Sequence, residues 1–549
     1  MKVGTVIIGS GVAATAVAQT LLKADSQASV LILEAGVRVK TKDYGLWEHY
    51  LLTRQAPYEQ YTDLPYTTRD IKGENKIAGA ADVTLNGARV FAYGGSTLHW
   101  GGWSFRLKPE DFYLKTNTGN GIDWPFDYDD LERFYCDAES HLAISGDSAD
   151  PLLPRSRAYP FRKFPFTAMD GVIADAMEQA NILYSHMPIA RRGVPVHSSP
   201  AAPAQPGAST EPSRHAPCQT TGTCKYCPFG ARYAACNYLD DLTEWNEWPG
   251  LSVRLGAVVD RIIIDRKRKV KGVTFWDRET GDLHDVEADR IIVAAGAIES
   301  AKLLLRSIST DWPSGLGNGY DLVGRYLVTH PYFIFETKFP ANPKRLQAEM
   351  DFPTLVSRHF DSRAEQERGK FLLVAPPDAI SFNLAEALQK GHSRQKVEEL
   401  LVGDANRVRL HGMIEVFGQA GNRVKNILND YNRIGLPMTQ VEYTRDDRAF
   451  EERMAEVQSK VVPIFAAMGA NLTEKPTISW RADHAASVCR MSKKETEGVV
   501  DADLRVHGID NLYVISNAVF PNIGAVNPTL TLTALALRLG EHLSSGGGA

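Results

Sequence analysis

The sequence predicts an α/β fold with more than one domain, and three observations lead to this prediction. The chain has 549 residues, more than a single hydrophobic core usually accommodates. Apolar residues make up 44% of it and charged residues 23%, which is typical of a globular protein. Residues 3–33 have the pattern of a β-α-β unit, with apolar runs at 3–8 and 30–33 on either side of an Ala-rich helical segment.

The turn after the first predicted strand has the spacing of a dinucleotide-binding fingerprint. Gly9 allows a tight turn, Gly11 lets the backbone approach a pyrophosphate, and Ala14 keeps the helix close to the strand. The amino end of the helix offers N–H groups to phosphate oxygens. Glu34 ends the second strand, where a carboxylate accepts hydrogen bonds from a ribose. This Rossmann-like unit suits FAD or NAD, and its position at the amino terminus favours FAD.

A second glycine-rich segment, residues 91–102, reads FAYGGSTLHWGG. Paired glycines before Ser96 and Thr97 suit a loop whose backbone lies against a flat, anionic cofactor. Further short motifs follow along the chain: DWPF at 123–126, IIVAAGAIES at 291–300, VGRYLVTHP at 323–331, NLYV at 511–514 and NPTLT at 527–531. In this order, the motifs together resemble the glucose–methanol–choline (GMC) oxidoreductase family over nearly the whole chain.

The resemblance implies an FAD cofactor and a two-domain fold. In that fold a Rossmann-like FAD-binding domain is interleaved with an α+β substrate domain built on an antiparallel sheet, as in p-hydroxybenzoate hydroxylase. The predicted boundaries are 1–120, 217–334 and 485–543 for the FAD-binding domain, and 121–216 and 335–484 for the substrate domain. A cysteine-containing loop at 215–237 belongs to the FAD-binding domain, and residues 544–549 are expected to form a disordered tail.

The resemblance also implies which residues contact FAD. Besides the fingerprint, these are Gly94, Gly95, Ser96, His99, Val258, Ala295, Pro528 and Thr529. In the family, the strand at 291–300 closes the nucleotide-binding sheet, and the NPT segment opens a helix beneath the flavin's pyrimidine ring. His99 precedes Trp100 where the pyranose-oxidase branch forms a covalent bond to flavin. Sugar dehydrogenases have the same pair without that bond, so both arrangements are open, and we expect a non-covalent contact.

Oxidation of an alcohol by hydride transfer needs a base for the hydroxyl proton and an acceptor for the hydride. Members of the resembling family carry a His, with a second His or Asn, near the carboxyl end and facing the flavin N5. The resemblance therefore assigns His484 as the general base and Asn527 as the group that orients the alcohol oxygen. The ordinary imidazole pKa of about 6.5 suits proton abstraction near neutrality.

Four of the six cysteines lie in one short stretch, unlike a disulfide framework for a chain of this size. Cys218, Cys224 and Cys227 end in Cys-Pro, a pattern similar to iron–sulfur ligation. In the resembling family, the catalytic subunits of bacterial glucose- and fructose-type dehydrogenases hold a [3Fe-4S] cluster on three cysteines in this part of the chain. Their spacing is four and three residues, in place of five and two here. Zinc, with His215 or Cys236 as fourth ligand, and the absence of any metal remain alternatives.

The predicted function is therefore that of an FAD-dependent dehydrogenase. It would oxidise a secondary or hemiacetal hydroxyl of a sugar or glycoside, and the iron–sulfur cluster would pass electrons to a protein acceptor. A small helper subunit and a cytochrome-type acceptor are the expected partners. The alternative is an FAD-dependent sugar or alcohol oxidase that uses O₂, with the cysteines in a structural role.

Charge and hydropathy argue against other classes of partner. The formal net charge of −5 gives no electrostatic reason to expect nucleic acid. No apolar stretch approaches the about 20 residues that a membrane-spanning helix needs, and the amino terminus shows no signal-peptide pattern. We expect a soluble protein without direct membrane insertion, periplasmic if exported with a partner subunit and otherwise cytoplasmic.

Overall fold

The computed structural model of the chain describes most of its residues. The described ranges are 2–39, 44–53, 75–78, 83, 89–150, 154–194, 217–219, 227, 229–244, 248–266, 268–338, 350, 352–376, 384–405, 407–432 and 435–546. Within them the strands are β1 (Lys2–Ile8), β2 (Val30–Leu33), β3 (Asn75–Ala78), β4 (Ser145–Gly146), β5 (Phe161–Arg162), β6 (Ser185–His186), β7 (Leu251–Arg254), β8 (Ala257–Ile264), β9 (Val270–Asp277), β10 (Leu283–Val293), β11 (Pro331–Lys338), β12 (Leu355–Ser357), β13 (Phe371–Val374), β14 (Arg407–Ile414), β15 (Arg423–Tyr431), β16 (Pro437–Glu442), β17 (Thr477–Trp480) and β18 (Leu512–Val514).

The same ranges contain the helices that cover these strands. They are α1 (Val12–Ala24), α2 (Tyr44–Thr53), α3 (Leu114–Thr118), α4 (Tyr128–His141), α5 (Ala168–Gln179), α6 (Ala235–Glu244), α7 (Gly296–Arg306), α8 (Leu384–Gln389), α9 (Arg394–Ala405), α10 (Asp447–Ala467) and α11 (Thr529–Ser544). Short 3₁₀ turns include Gly95–Leu98, Ala482–His484 and Asn517–Val519. In the described part of the chain, no helix combines the length and the apolar character needed to cross a bilayer.

The first sheet contains the predicted β-α-β unit. Its strands lie in the order β7-β2-β1-β10-β9-β8, and β18 pairs with the carboxyl end of β10. Strands β7, β2, β1, β10 and β18 are parallel, whereas β9 and β8 extend the sheet as an antiparallel meander. All four residues of β2 are buried, as a parallel strand covered on both faces should be. The predicted strands at 3–8 and 30–33 are confirmed.

Helix α1 is the predicted helix of that unit, and it packs along α11. Ala14, Val17 and Ala18 of α1 are completely buried. Gly540 of α11 allows the two helices to approach closely, because a Cβ there would lie 2.6 Å from the Cβ of Thr20. This packing joins the two ends of the chain, so that the segment preceding α11 lies at the same edge of the sheet as the fingerprint turn.

The second sheet is entirely antiparallel and has the order β17-β11-β14-β13-β12-β6. A second hydrophobic core fills the space between this sheet and helices α5 and α10; it includes Phe333, Phe335, Ile173 and Val457. The predicted α+β unit on an antiparallel sheet is therefore confirmed, while the proposed domain boundaries stay a prediction. Strand β17 ends just before the 3₁₀ turn that carries His484.

Candidate active site

A cavity of about 440 Å³ lies at the carboxyl ends of β1, β2 and β10. Ligands bind at this edge of open α/β sheets because the loops that follow the strands leave a crevice there. The second sheet reaches the same cavity, since β17 is followed directly by lining residues. The lining includes segments 8–13, 33–35, 95–97, 99–103, 257–259, 294–299, 481–485, 515–517 and 527–529.

Gly9 and Gly11 line the cavity for different reasons. Gly9 has a φ of +101°, and a Cβ there would lie 2.6 Å from the carbonyl oxygen of Ala294, so the turn itself requires glycine. A Cβ on Gly11 would meet no described atom within 4 Å and would project into open space. Gly11 is also the N-cap of α1, and no side chain among the described residues caps this helix end. Its N–H groups can therefore serve a phosphate.

Glu34 lies at the end of β2 and is only 5% exposed. Its Oε1 accepts a 2.8 Å hydrogen bond from the backbone N–H of Gly36, and its Oε2 accepts one from the backbone N–H of Ser10. Burial raises the pKa of Glu34, while these hydrogen bonds act in the opposite direction. The carboxylate also lines the cavity, as a ribose acceptor should.

Some residues of the second glycine-rich segment line the cavity, and others pack against the rest of the protein. Gly95, Ser96 and His99 line the cavity, but Gly94 is not among the lining residues. Gly94 has a φ of +99°, and a Cβ there would lie 2.8 Å from the Cβ of Cys236 in α6. Packing against α6 therefore accounts for this glycine. Ala14, which lies inside the packing face of α1, is also absent from the lining.

His99 is a neutral imidazole at pH 7. Burial lowers its pKa to about 4, and the nearby positive charges of Arg232 and Arg481 act in the same direction. The remaining predicted cofactor contacts all line the cavity: Val258, Ala295, Pro528 and Thr529.

The two predicted catalytic residues lie within hydrogen-bonding distance of each other. Asn527 Nδ2 is 3.2 Å from His484 Nε2, and both side chains line the cavity. The hydroxyl of Tyr332 lies 3.2 Å from the same nitrogen of His484. On the other side of the ring, His484 Nδ1 lies 2.9 Å from His330 Nδ1. The four side chains form one connected group in which His484 is central.

Burial lowers the pKa of His484 well below its ordinary value, and the neighbouring His330 and Arg481 add to this effect. His484 is only 9% exposed, so its imidazolium form would be poorly solvated. The ring is therefore neutral at pH 7, the state in which it can accept a proton.

Several candidate functional residues were not among the site residues predicted from the sequence. Ser10, Tyr332 and Asn517 line the cavity, and His330 lies directly behind His484. Ser10 lies between the two fingerprint glycines, and this position could have indicated that it contacts the cofactor site. His330 and Tyr332 lie 154 and 152 positions from His484, and nothing in the local sequence indicates that they meet.

The cysteine segment is described only in part. Cys218 and Cys227 are half-buried free thiols, whereas Cys224 lies outside the described residues. Arg191 Nη1 donates to Cys218 Sγ at 3.8 Å. Within the described residues, no group of three or more His, Cys, Asp or Glu side chains is arranged to hold a metal ion.

The chain that follows the cysteines packs directly on the loop that lines the cavity. Arg232 donates 2.6 Å hydrogen bonds to the carbonyl oxygens of both Leu98 and Trp100. Trp100 Nε1 donates in return to the carbonyl oxygen of Tyr233, at 2.8 Å. The backbone N–H of Ala235 donates to Thr97 Oγ1. Residues 232–235 therefore contact the loop at 97–100, part of which lines the cavity.

Comparison with known proteins agrees with this architecture. Two family profiles, both described as GMC oxidoreductase, match residues 201–332 and 422–536. The chain carries the amino- and carboxyl-terminal domains of GMC oxidoreductases. It is therefore an oxidoreductase of the kind that acts on CH–OH groups, and the family implies FAD as its cofactor.

This GMC oxidoreductase is similar over nearly its full length to one protein named as a dehydrogenase and to another named as an oxidase. It is 25% identical to the fructose dehydrogenase large subunit of Gluconobacter japonicus, over 99% of this chain and 98% of that protein. It is 28% identical to 6'''-hydroxyparomomycin C oxidase of Streptomyces lividus, over 98% and 91% of the two chains. A formate oxidase structure from Aspergillus oryzae, studied for FAD modification, superposes with a TM-score of 0.65 at 16% identity, covering 99% and 98%. That structure supports the fold alone.

The residues of this GMC oxidoreductase fit FAD. The open space at Gly11 and the start of α1 suit a pyrophosphate, and Glu34 suits a ribose. Two buried amide oxygens, Asn517 Oδ1 and Asn527 Oδ1, have no hydrogen-bond partner among the described residues and belong to cavity-lining side chains. Buried polar atoms normally have partners, so these oxygens are suited to a ligand.

Proposed function

We propose that this GMC oxidoreductase oxidises a secondary or hemiacetal hydroxyl of a sugar or glycoside. The observation that carries the proposal is the His484–Asn527 pair, which lines a cavity continuous with the FAD-binding fingerprint. Bound FAD supplies an acceptor for the hydride at its flavin N5. The protein must then bind the alcohol, orient it and remove its hydroxyl proton.

His484 takes the hydroxyl proton at Nε2. Its neutral state at pH 7 follows from its burial beside His330 and Arg481. Asn527 holds the alcohol oxygen near that nitrogen, because its Nδ2 lies 3.2 Å from Nε2 and has a second N–H that can donate to the alcohol oxygen. A base that is already positioned contributes about 10²- to 10⁴-fold to the rate.

Sugars and glycosides are proposed as substrates because of the relatives. One of them is named for fructose and another for 6'''-hydroxyparomomycin C, both across nearly the whole chain. The test is anaerobic mixing of the FAD-loaded protein with a panel of sugars, glycosides and simple primary alcohols. Loss of the flavin absorbance with at least one sugar or glycoside is expected. Bleaching by simple alcohols alone would contradict the substrate class.

We further propose that the electrons leave through the cysteine segment to a protein acceptor. Cys218, Cys224 and Cys227 would bind a [3Fe-4S] cluster, and a small helper subunit and a cytochrome-type protein would complete the complex. Two observations support this dehydrogenase reading. Arg191 lies close to Cys218 Sγ, and residues 232–235 contact the loop at 97–100 beside the cavity. Such a position suits a relay between flavin and surface.

The second candidate is an oxidase that passes electrons from FAD to O₂. The relative named as an oxidase supports this second candidate as directly as the fructose dehydrogenase supports the dehydrogenase. Oxygen uptake during turnover separates the two candidates. A dehydrogenase reduces a cytochrome or an artificial one-electron acceptor and takes up little oxygen, whereas an oxidase takes up one O₂ for each sugar oxidised.

A further inference from the structure

His484 is the third member of a chain of hydrogen-bonding groups that starts at a backbone carbonyl and passes through His330. His330 Nε2 lies 2.8 Å from the carbonyl oxygen of Gly524, and His330 Nδ1 lies 2.9 Å from His484 Nδ1. His484 Nε2 then faces Asn527 Nδ2 and the hydroxyl of Tyr332, each at 3.2 Å. The two imidazole rings are nearly perpendicular, at 87°.

The direction of donation along this chain is fixed at its first contact. A carbonyl oxygen can only accept, so His330 Nε2 must carry a proton and donate it to Gly524. Burial lowers the pKa of His330 to about 4, so that its ring is neutral at pH 7. A neutral imidazole has one N–H, which leaves His330 Nδ1 with a lone pair that can only accept.

The same logic then sets the proton on the second ring. His484 Nδ1 must donate to His330 Nδ1, because two lone pairs at 2.9 Å would repel each other. His484 is also neutral, so its Nε2 has no proton. This agrees with its neighbours, since the amide nitrogen of Asn527 is always a donor and the hydroxyl of Tyr332 can be one.

We infer that His330 is a positioning residue, which holds His484 in the tautomer that has its lone pair at Nε2, beside Asn527. This inference rests on the proposed function, in which that nitrogen takes the hydroxyl proton. In the opposite tautomer, His484 Nε2 would carry a proton and could not accept another. The lone pair would then point away from the alcohol, towards His330.

The carbonyl that starts the chain is held by the surrounding structure. Gly524 has a φ of +52°, and a Cβ there would lie 2.9 Å from Leu107 Cδ2 and 3.3 Å from Asp111 Oδ2. The loop is tied to the same place because Asn522 Nδ2 donates to the carbonyl oxygen of Asp111. Asp111 is in turn bound by the fully buried Lys370, at 2.6 Å. These contacts leave the Gly524 carbonyl little freedom to turn away from His330.

The tautomer can be read directly in the FAD-loaded protein. Uniform labelling of the histidines with ¹⁵N distinguishes protonated from unprotonated ring nitrogens, and the signals of His484 are identified by their loss in His484→Ala. We expect a protonated Nδ1 and an unprotonated Nε2 at pH 7. A proton on His484 Nε2 would overturn the inference without any reference to activity.

Replacement of His330 provides the second measurement. His330→Leu should lower kcat by about 10²-fold or more while FAD content and KM change little, because only the state of the base is disturbed. His284→Leu is the matched control: His284 stacks on Phe275 in the β9–β10 meander, outside the cavity lining, and its kcat should be unchanged.

A double-mutant cycle separates failure of the inference from failure of the proposed function. If His330 acts through His484, then His330→Leu should have no further effect in the His484→Ala background. Full additivity of the two losses, or a normal kcat in His330→Leu, would overturn the inference alone. An unchanged kcat in His484→Ala would instead remove the proposed function on which it rests. If His330→Leu fails to fold, the ¹⁵N measurement on the unmodified protein still decides the question.

Discussion

Ser10 Oγ donates a 2.6 Å hydrogen bond to Glu34 Oε2, and the same hydroxyl oxygen accepts a 3.0 Å hydrogen bond from the backbone N–H of Gly94. One serine therefore joins three parts of the cofactor site: the fingerprint turn, the acidic end of β2 and the second glycine-rich segment. Glu34 has a structural role in addition to its predicted contact with a ribose. Its carboxylate must accept from several donors at once.

Glu34→Gln tests this double role. An amide nitrogen at either position of the side chain would face an N–H donor, from Ser10 or from Gly36, and one buried donor would lose its partner. A cost of about 1–3 kcal/mol is expected for that loss. Both the apparent melting temperature and the affinity for FAD should fall. Glu279→Gln, at an exposed turn, is the control and should change neither.

Gly11→Val should remove FAD without preventing folding. The added side chain meets no described protein atom within 4 Å, so the fold should accommodate it, but it occupies space that the pyrophosphate needs. The ratio of flavin to protein absorbance measures the outcome. Gly171→Val is a suitable control because a Cβ at Gly171 in α5 also meets nothing within 4 Å. Full flavin occupancy in Gly11→Val would mean that the cofactor is bound elsewhere.

His484→Ala should lower kcat by about 10²- to 10⁴-fold, the range for loss of a general base, while FAD stays bound. Asn527→Ala should cost less, because Asn527 orients the alcohol oxygen and does not take its proton. Steady-state kinetics with the best sugar from the panel would give both values. A larger loss in Asn527→Ala than in His484→Ala would reverse the two assigned roles.

The sequence predicted the parts of this site that depend on short-range patterns. The strand, turn and helix at 2–24 are visible because apolar runs and glycine spacing are local properties. The contact between His330 and His484 depends instead on long-range strand pairing. β11 and β17 are antiparallel with Pro331 opposite Trp480, so the residue before β11 and the turn after β17 meet. That register is not encoded in either segment alone.

The buried histidines predict a specific dependence of stability on pH. The folded-state pKa of His330 is lowered to about 4, whereas an unfolded histidine has a pKa of about 6.5. Between these values the unfolded state binds more protons, so the protein should lose stability as the pH falls from about 6.5 to 4. For His330 alone the loss is about 3 kcal/mol. The melting temperature of His330→Leu should therefore vary less with pH over this window than that of the unmodified protein, and an identical slope would contradict the assignment.

The last prediction concerns the metal. If Cys218, Cys224 and Cys227 hold a [3Fe-4S] cluster, the oxidised protein should contain about three irons for each FAD and give a cluster EPR signal. Replacing any one of the three by Ser should remove that signal. Cys489→Ala is the control, because Cys489 is completely buried elsewhere and burial raises the pKa of its thiol, which disfavours the thiolate form that binds metals.

The two half-reactions should respond differently to loss of the cluster. Reduction of the flavin by the sugar depends on the cavity and on His484, so it should survive in each Cys→Ser variant. Electron transfer to a cytochrome-type acceptor should fail, because the relay between flavin and acceptor would be lost. The chain that follows the cysteines packs against the cavity loop through Arg232 and Trp100. A metal content of one zinc and no iron would contradict the electron relay and would give the cysteine segment a structural role. An absence of any metal, together with rapid oxygen uptake, would favour the oxidase, since the electrons would then pass from FAD to O₂ without an intermediate carrier.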